Sequence, residues 1–527
     1  MPIPSSRSAR RPAAARQAMV ACAHPDAAEA GLAVLRRGGT AADAAVAVNA
    51  VLGVVHPCYC GIGGDFFCLY YDAPSGAVSF LDGGGRSGSR ASLEALARAG
   101  LSQPPRLGAG SVVVPGCVDA WALLLERFGT RSLDELLRPA ISLASDGIVP
   151  TRLVRNEIAS MAPLIDDPEW RRIFLRSGRP PRAGERIAQP DLARTLSAVA
   201  RRGRQGFYDG EIAGRMARRL ASGGFVDAED FAAHAGSWGR PLSIEYRGVT
   251  VYEPPPPTPG FSVLLALGLL ESDGAASLAF ESPERAHLLI EAAKLAYADH
   301  KRRLTAREAV ALLDRESVAA LRARLDPRRA GLTVGADAAG DTTGFVIVDE
   351  WGSMASVIQS VFSAFGSGVV PEGTGVVLHN RGHSFVARAG HPNAFGPRKR
   401  PFHTLIAAMA LRDGRPALGF ATMAANGQAQ QLHLQFLSNV LDLGMNVQEA
   451  LDRPRFIAGP PHSAADAVWI ESDWPSKTLR ALEARGHRLE RARRRHPLMG
   501  QGHAIAVDGG LLLGGADPRG DGTAIGY

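Results

Sequence analysis

The order in which helix-forming and strand-forming segments follow one another constrains this 527-residue chain most. Helical patterns dominate up to residue 325, and alternating strand patterns dominate from Thr343 onward. Between them, residues 326–340 are small, polar and rich in Ala and Gly, which is typical of an exposed loop. Helices followed by a strand-rich region with further helices outside it predict an α/β fold, a four-layer αββα sandwich.

Apolar periodicity and turn residues predict the individual elements. The helix at 41–55 is the clearest, because only Asp43 and Asn49 interrupt a run of Ala and Val. A helix at 428–443 is amphipathic and stops at Gly444. The other predicted elements are a helix at 27–37, mostly helices from 117 to 325 with a strand pair at 242–252, and strands at 66–71, 79–82, 343–349, 353–362, 375–378, 406–411, 417–421, 504–507 and 511–514.

The composition is that of an ordinary globular protein, with 46% hydrophobic and 21% charged residues. The net charge is +7, but the basic run 491–495 lacks interleaved aromatic residues, so no nucleic-acid partner is expected. No apolar run reaches the roughly 18 residues of a membrane helix, so no membrane partner is expected. The first residues contain arginines and lack the apolar core of a secretory signal, which predicts a cytoplasmic location.

The five cysteines are confined to the first quarter of the chain, and their odd number is not that of a disulfide framework. Two interpretations are open for His56, Cys58 and Cys60. They could ligate a metal, but a C-x-C pair without a second cluster is weak evidence for a site. Buried structural thiols are favoured, and no metal is expected.

The junction Gly340-Asp341-Thr342-Thr343 is the candidate for hydrolytic chemistry, because the usual serine-hydrolase, zinc-protease and nucleotide-binding motifs are missing. A hydroxyl nucleophile needs a base, and a chain-terminal Thr supplies its own in the free α-amine, whose pKa is about 8. This design requires prior cleavage of the bond before Thr342. Taken alone, two threonines at a strand start fit a turn cap better.

A series of motifs adds to this interpretation. Asp341-Thr342-Thr343 before a Val-Ile-Val-Asp strand resembles the small-subunit start of γ-glutamyltranspeptidases. The ending Ala516-Asp517-Pro518-Arg519 with Gly526-Tyr527 resembles the tail of that family. Further segments that fall in family order are His24-Pro25, Gly38-Gly39, Gly61 to Gly64, Val114 to Gly116, Pro256 to Gly260, Phe365 to Gly368, Gly373 to Asn380, Gly396 to Pro401, Asn446 to Ala450 and Pro454 to Phe456. Residues 402–406 and 423–428 resemble the bacterial branch that includes oxamate amidohydrolase.

The resemblance implies an N-terminal-nucleophile fold and a precursor that cuts itself between Asp341 and Thr342. The large subunit would span 1–341 and the small catalytic subunit 342–527. Thr342 would be the nucleophile for both cleavage and catalysis, and the hydroxyl of Ser360 would bond to it, although a plain strand serine fits Ser360 as well. Two backbone N–H groups at Ala425-Asn426 would form the oxyanion hole.

The resemblance also assigns a substrate pocket. Arg86 would bind the substrate carboxylate together with His403-Thr404, which stand where the family has a Ser-Ser pair. The positions expected to recognise the substrate amino group read Phe362, Arg381 and Ser384. This ring and this guanidinium provide no acceptor for a cationic ammonium, so Arg381 favours a small anionic acyl group without an amine. His379 and His383 lie on the same segment and are also candidates for the pocket lining.

The sequence therefore predicts a self-processing threonine amidohydrolase or acyltransferase. By family its substrate is a γ-glutamyl amide such as glutathione, and by its pocket residues it is oxamate or a glutaryl or cephalosporin-type amide. A non-enzymatic, unprocessed homologue is the alternative of another class. The resemblance implies no cofactor and an αβ heterodimer of the cleaved subunits, with pairing of two such units left open.

Overall fold

Two antiparallel sheets lie face to face in the computed structural model, which describes residues 10–271, 274–302, 311, 313–331, 341–423, 428–460, 464 and 466–527. The strands are β1 Ala13–Ala15, β2 Met19–Cys22, β3 Asp65–Asp72, β4 Ala77–Gly83, β5 Ser237–Gly239, β6 Leu242–Tyr246, β7 Val249–Glu253, β8 Asp341–Val348, β9 Met354–Phe362, β10 Ala407–Arg412, β11 Arg415–Met423, β12 Phe456–Ala458, β13 Ala467–Glu471, β14 Arg488–Ala492, β15 Gln501–Asp508, β16 Leu511–Ala516 and β17 Thr523–Gly526.

The helices lie outside the two sheets. They are α1 Pro25–Arg36, α2 Ala41–Val55, α3 Leu93–Arg98, α4 Cys117–Phe128, α5 Leu133–Asp146, α6 Arg152–Met161, α7 Pro168–Phe174, α8 Pro190–Arg202, α9 Gln205–Tyr208, α10 Gly210–Leu220, α11 Ala228–Ala232, α12 Gly260–Leu270, α13 Pro283–Arg302, α14 Arg315–Arg322, α15 Ala429–Leu441, α16 Val447–Asp452 and α17 Ser476–Ala484. None of the described helices is both long and apolar enough to cross a membrane.

Strand order explains how the site is assembled. The first sheet has the order β17-β2-β8-β9-β3-β4-β5, and the second has the order β1-β16-β15-β11-β10-β7-β6. Apolar side chains fill the layer between the sheets, including Phe67, Leu69, Val346, Ile358, Met409 and Ala421. Helices α1 and α2 cover the outer face of the first sheet, and α12, α13 and α15 cover that of the second. The predicted four-layer αββα sandwich is confirmed.

Helix α2 shows why the first layer forms where it does. Thr40 and Asp43 cap its first turn reciprocally, and Asp43 also accepts a hydrogen bond from the Thr130 backbone N–H at 2.9 Å. Every residue of the helix except Gly53 is buried, so the helix packs on all sides. It therefore forms a rigid base under β8 and β9.

Two close contacts fix the direction of β8 relative to β11 in the opposite sheet. A methyl group on Gly344 would lie 2.8 Å from the Ala421 Cβ, and one on Gly419 would lie 2.8 Å from the Val346 Cγ1. The residue number rises along β8 while it falls along β11, so the two strands run antiparallel across the interior. Continued by two residues, this register places Thr342 opposite Met423.

Most predicted elements are confirmed, and α2 has the predicted bounds. The strand predicted at 375–378 is wrong. Gly373 and Gly375 have positive φ values of 70° and 66°, which a strand does not accommodate, and Leu378 N–H bonds to the Val369 carbonyl at 3.0 Å in an irregular turn. The strand predicted from Thr343 begins two residues earlier, at Asp341.

Candidate active site

The start of β8 is irregular at the predicted nucleophile. Asp341 pairs with Phe362 and Thr343 pairs with Gln359, with a register shift between the two pairs. The extra residue is on β9, where Ser360 and Val361 together lie opposite Thr342, so the alternation of side chains along β8 is kept. Thr342 is 7% exposed, and because side chains alternate along a strand it faces the interior with Gly344 and Val346, towards the second sheet.

Ser360 lies on the neighbouring strand β9, where the resemblance predicts a second hydroxyl. It is fully buried, and it pairs across the ladder with Asp65 on β3. Its Oγ accepts a hydrogen bond from the Phe362 N–H at 2.7 Å. Phe362 has a φ of 79°, an unusual conformation for an aromatic residue, so this bond fixes a strained turn at the end of β9.

Asp65 is a site residue that the sequence did not reveal. Its Oδ2 accepts hydrogen bonds from Arg381 Nε at 3.0 Å and faces His379 Nδ1 at 3.2 Å, and its Oδ1 accepts from the Gly85 N–H at 3.2 Å. Burial opposes ionisation of this carboxyl, but His379, His403 and Arg381 outweigh burial and hold its pKa well below the usual range. The sequence signal that could have identified Asp65 is an acidic residue at the start of an otherwise apolar strand.

The guanidinium of Arg381 is wholly buried and lies over the Phe362 ring, with 4.3 Å between Cζ and the ring centroid. Its Nη1 donates to Thr404 Oγ1 at 3.1 Å. Its Nη2 has no hydrogen-bond partner among the described residues. Burial lowers the pKa of Arg381, and Asp65 opposes that effect. The group retains one donor nitrogen for an anion.

The ring of His403 adds a polar group to this pocket. It is buried, it lies 4.7 Å from the Phe67 ring, and neither of its nitrogens has a hydrogen-bond partner within the described part of the chain. Burial, followed by the charge of Arg381, holds its pKa well below the usual value. A neutral His403 has one N–H donor and one acceptor to offer a ligand.

The remaining predicted pocket residues, Arg86 and Ser384, contact backbone carbonyls. Arg86 is exposed, and its Nη1 donates to the Arg398 carbonyl at 3.3 Å, close to the ion pair of Asp82 and Arg400. The hydroxyl of Ser384 is within hydrogen-bond distance of two carbonyls, that of Arg381 at 2.8 Å and that of Phe402 at 3.1 Å, so it stabilises the loop. The predicted oxyanion residues Ala425 and Asn426 lie outside the described residues, as does the side chain of Asp341.

Both predicted histidines beside Arg381 bond to backbone carbonyls. His379 Nε2 lies 2.9 Å from the Val113 oxygen, and His383 Nδ1 lies 2.8 Å from the Pro104 oxygen. The Val113 carbonyl and the Asp65 carboxylate thus contact the two ring nitrogens of His379. His379 therefore links Asp65 to the loop before α4 and orients the carboxylate that holds Arg381.

One cluster in the described part of the chain has the composition of a metal site: His287, Glu291 and His487, with ligand atoms within 4.8 Å of one another. The side-chain atoms of this cluster already take part in hydrogen bonds. His287 Nδ1 lies 2.7 Å from His487 Nε2, and Lys294 Nζ donates to Glu291 at 2.9 Å. The Lys294 ammonium already neutralises the Glu291 carboxylate, as a metal ion would. The cluster is therefore a structural hydrogen-bond network. The structure describes all five cysteines as buried and without a disulfide bond: Cys22, Cys58, Cys60, Cys68 and Cys117.

The described structure thus has a buried hydroxyl at the start of β8, a second hydroxyl on the neighbouring strand and a buried guanidinium with one unpaired nitrogen. A sequence profile described as Gamma-glutamyltranspeptidase matches residues 27–527. The chain belongs to the gamma-glutamyltranspeptidase family. It is 37% identical to the glutathione hydrolase-like YwrD proenzyme of Bacillus subtilis, over 96% of this chain and 98% of that protein.

Two further proteins similar to this gamma-glutamyltranspeptidase-family chain are named for other activities. The oxamate amidohydrolase proenzyme of Klebsiella pneumoniae is 35% identical over 97% of this chain and 98% of that protein. The crystal structure of the cephalosporin acylase from Bacillus halodurans superposes with a TM-score of 0.89 and 33% identity, covering 100% of this chain and 99% of that chain. The chain is thus a family hydrolase with the N-terminal-nucleophile fold, made as a proenzyme that processes itself.

Proposed function

We propose that Thr342 is the nucleophile of self-cleavage and of amide hydrolysis. In the precursor, its Oγ attacks the Asp341 carbonyl carbon, the peptide C–N bond breaks, and water hydrolyses the resulting ester. The new α-amine then serves as the base that takes the proton from Oγ when Oγ attacks a substrate amide. The support is positional: Thr342 lies buried at the start of β8, next to a bulge in β9 and opposite the end of β11.

The cut would give a large chain of residues 1–341 and a small chain of residues 342–527. Both chains contribute strands to the same sheet, because β8 lies between β2 and β9, and β9 pairs with β3. Such interleaved strands support a stable heterodimer after cleavage. A cytoplasmic location and the pairing of two heterodimers stay predictions.

The acyl pocket favours a small acid amide without an α-amino group. Arg381, the one observation that carries this proposal, is a buried cation with an unpaired Nη2 at the position where the resemblance expects an amino-group acceptor. A substrate carboxylate would pair with it, assisted by His403 and Thr404. A buried ammonium next to this guanidinium would lack a partner, which costs roughly 3 kcal/mol, or about a hundredfold in affinity.

Turnover of γ-glutamyl amides is the second candidate, and the names of the glutathione hydrolase relatives favour it. The two candidates differ in one substituent of the donor, so matched anilides separate them. The test compares glutaryl-p-nitroanilide, γ-glutamyl-p-nitroanilide and the uncharged valeryl-p-nitroanilide, with ammonia release from oxamate measured on the same preparation.

We expect kcat/KM for the glutaryl donor to exceed that for each of the other two anilides by about a hundredfold. Thr342→Ala is the inactive control. A γ-glutamyl donor that equals or exceeds the glutaryl donor contradicts the pocket assignment. Release of neither p-nitroaniline nor ammonia by the wild-type protein contradicts the proposed activity.

A further inference from the structure

We infer that His287, Glu291 and His487 are positioning residues for self-cleavage. Together they hold residues 326–331, the last described part of the large chain before the cut, in a fixed place relative to both subunits. The inference rests on the proposed cut before Thr342. It adds to the nucleophile a second group of residues, remote in sequence, on which the rate of processing depends.

Both ends of the segment 326–331 bind to helix α13. At one end, His287 Nε2 lies 2.8 Å from the Asp326 carbonyl oxygen, and because a carbonyl can only accept, the ring nitrogen is the donor. At the other end, the Gly331 N–H donates to Glu291 Oε2 at 3.1 Å. His287 and Glu291 are one helix turn apart and lie on the same face of α13. One turn of the helix therefore anchors the whole segment.

The same network reaches across the proposed cut. Arg485 and His487 belong to the small chain and lie in the turn between α17 and β14. His487 Nε2 lies 2.7 Å from His287 Nδ1, and the Arg485 carbonyl accepts from the Ala330 N–H at 2.7 Å. The segment 326–331 is thus bonded to a helix of the large chain and to a turn of the small chain.

The cluster is polar although it is buried. Lys294 Nζ donates to Glu291 Oε1 at 2.9 Å, which balances the charge and leaves Oε2 for the Gly331 N–H. An apolar cluster of the same volume would join α13 to the small chain as well, because burying an ion pair gains little net stability. The polar groups add direction, since their bonds hold the backbone of residues 326–331 at defined points.

Self-cleavage is a reaction within one chain, so its rate depends on how often the Asp341 carbonyl carbon lies in line with Thr342 Oγ. Strand β8 contains Thr342, but Asp341 is its first residue and is joined to Gly331 through residues 332–340. An anchor at Gly331 limits the positions from which the chain enters β8. Fewer arrangements are then lost when the bond reaches attack geometry, so the anchor should speed the cut.

Hydrolysis of a substrate has a different requirement. After the cut, the attack of Thr342 Oγ on a substrate amide no longer involves the chain that leads from Gly331. The described hydrogen bonds of the cluster go to α13, residues 326–331 and the turn before β14, and not to the acyl pocket. Loss of the cluster should therefore slow processing and leave turnover by the processed protein nearly unchanged.

The test follows cleavage of the precursor after cell-free synthesis, once translation has been stopped. His287→Phe keeps a ring but removes the donor to Asp326, and we expect its rate constant for cleavage to fall about tenfold, as for loss of one hydrogen bond. His287→Gln, which can still donate from its amide, should stay within about threefold of wild type. After complete cleavage, kcat/KM for a p-nitroanilide donor should agree within about twofold among the three proteins.

Ile290→Ala is the matched control for stability. Ile290 is buried on the same helix within an apolar cluster, so its truncation lowers the free energy of unfolding and removes no hydrogen bond to residues 326–331. We expect this variant to be cut at the wild-type rate. Cleavage of His287→Phe at the wild-type rate overturns the inference. So does an equal delay in Ile290→Ala when urea titration shows that the two variants are equally stable.

Hydrogen exchange measures the anchor without any cut. In the Thr342→Ala precursor the Ala330 and Gly331 amides should be protected, and His287→Phe in the same background should raise their exchange rates about tenfold or more. Equal exchange in the two precursors contradicts the anchor. A wild-type protein cut at a bond other than that before Thr342 contradicts the proposed nucleophile alone, because slower cutting in His287→Phe would still support the anchor.

Discussion

Arg381 Nε donates to Asp65 Oδ2 at 3.0 Å, and both side chains are wholly buried. The two residues are 316 positions apart and lie on opposite sides of the proposed cut. Neither subunit alone therefore has a complete acyl pocket. A buried pair of this kind is costly to break from one side, because the remaining charge loses its partner without regaining water.

The side chain of Arg381 should decide acyl preference. Arg381→Gln keeps hydrogen-bonding capacity but removes the charge, and we expect kcat/KM for glutaryl-p-nitroanilide to fall by about a hundredfold, as for loss of a charged hydrogen bond. The rate for valeryl-p-nitroanilide should change little. Equal losses for the two donors would show that Arg381 supports the fold and does not select the acid.

Replacement of Asp65 should destabilise the protein. Asp65→Asn leaves the Arg381 charge buried without a counter-charge, so we expect the free energy of unfolding in urea to fall by about 3–5 kcal/mol. Asp72→Asn is the matched control, since Asp72 ends the same strand and its carboxylate bonds to exposed Ser75. It should change stability by no more than about 0.5 kcal/mol. Similar stabilities for the two variants would contradict the buried pair.

Ser360 should matter for processing and not only for stability. Ser360→Ala removes the acceptor of the Phe362 N–H, which should cost about 1–3 kcal/mol and slow self-cleavage. Ser360→Thr, which keeps the hydroxyl, should cut normally. Ser356→Ala is the control: Ser356 is on the same strand, and its Oγ donates to the Phe420 carbonyl at 2.8 Å. A similar delay in cleavage for Ser356→Ala would assign the effect to general destabilisation.

The structure also shows which features the sequence could predict. Helix α2 has its predicted bounds because its apolar run and Thr40 cap are local signals. The position of Thr342 at a strand start followed from the motif that surrounds it. Asp65 was missed because its partners, Arg381 and His379, are more than 300 residues away, and only the sheet order brings them together. The prediction of a strand at 375–378 was wrong because it rested on the apolar run and did not take account of Gly373 and Gly375.

Acid should destabilise the protein through its buried histidines. Their pKa values in the folded state lie below the unfolded value of about 6.5, so each contributes stability above that pH and loses it as the pH falls. One such group costs up to about 1.4 kcal/mol per pH unit in this window. Burial is the first cause of the shift in each of these residues: His56, His433 and His487, with pKa values of about 3, and His234 and His503, with values of about 4.

Buried acids with raised pKa values act in the opposite direction, and they include Asp349, Glu253, Asp82 and Glu157. Burial raises the pKa of Asp349 to about 6 and that of Glu253 well above its usual value, so each loses stability as the pH rises. The histidines outnumber them, and we expect the free energy of unfolding to fall between pH 7 and pH 5. Urea titrations at both values and at pH 6 measure it. Equal or greater stability at pH 5 would show that the histidines do not dominate.

The most direct test of the account is the intact mass of purified wild-type protein, Thr342→Ala and Thr343→Ala. Thr343 is the matched control, because it follows Thr342 and its hydroxyl, though buried, has no hydrogen-bond partner among the described residues. We expect two fragments from the wild type and from Thr343→Ala, with Thr342 as the new N-terminus in both proteins. We expect an uncut chain from Thr342→Ala. A cut at another bond, or normal fragments from Thr342→Ala, would contradict the assignment of Thr342 as the nucleophile.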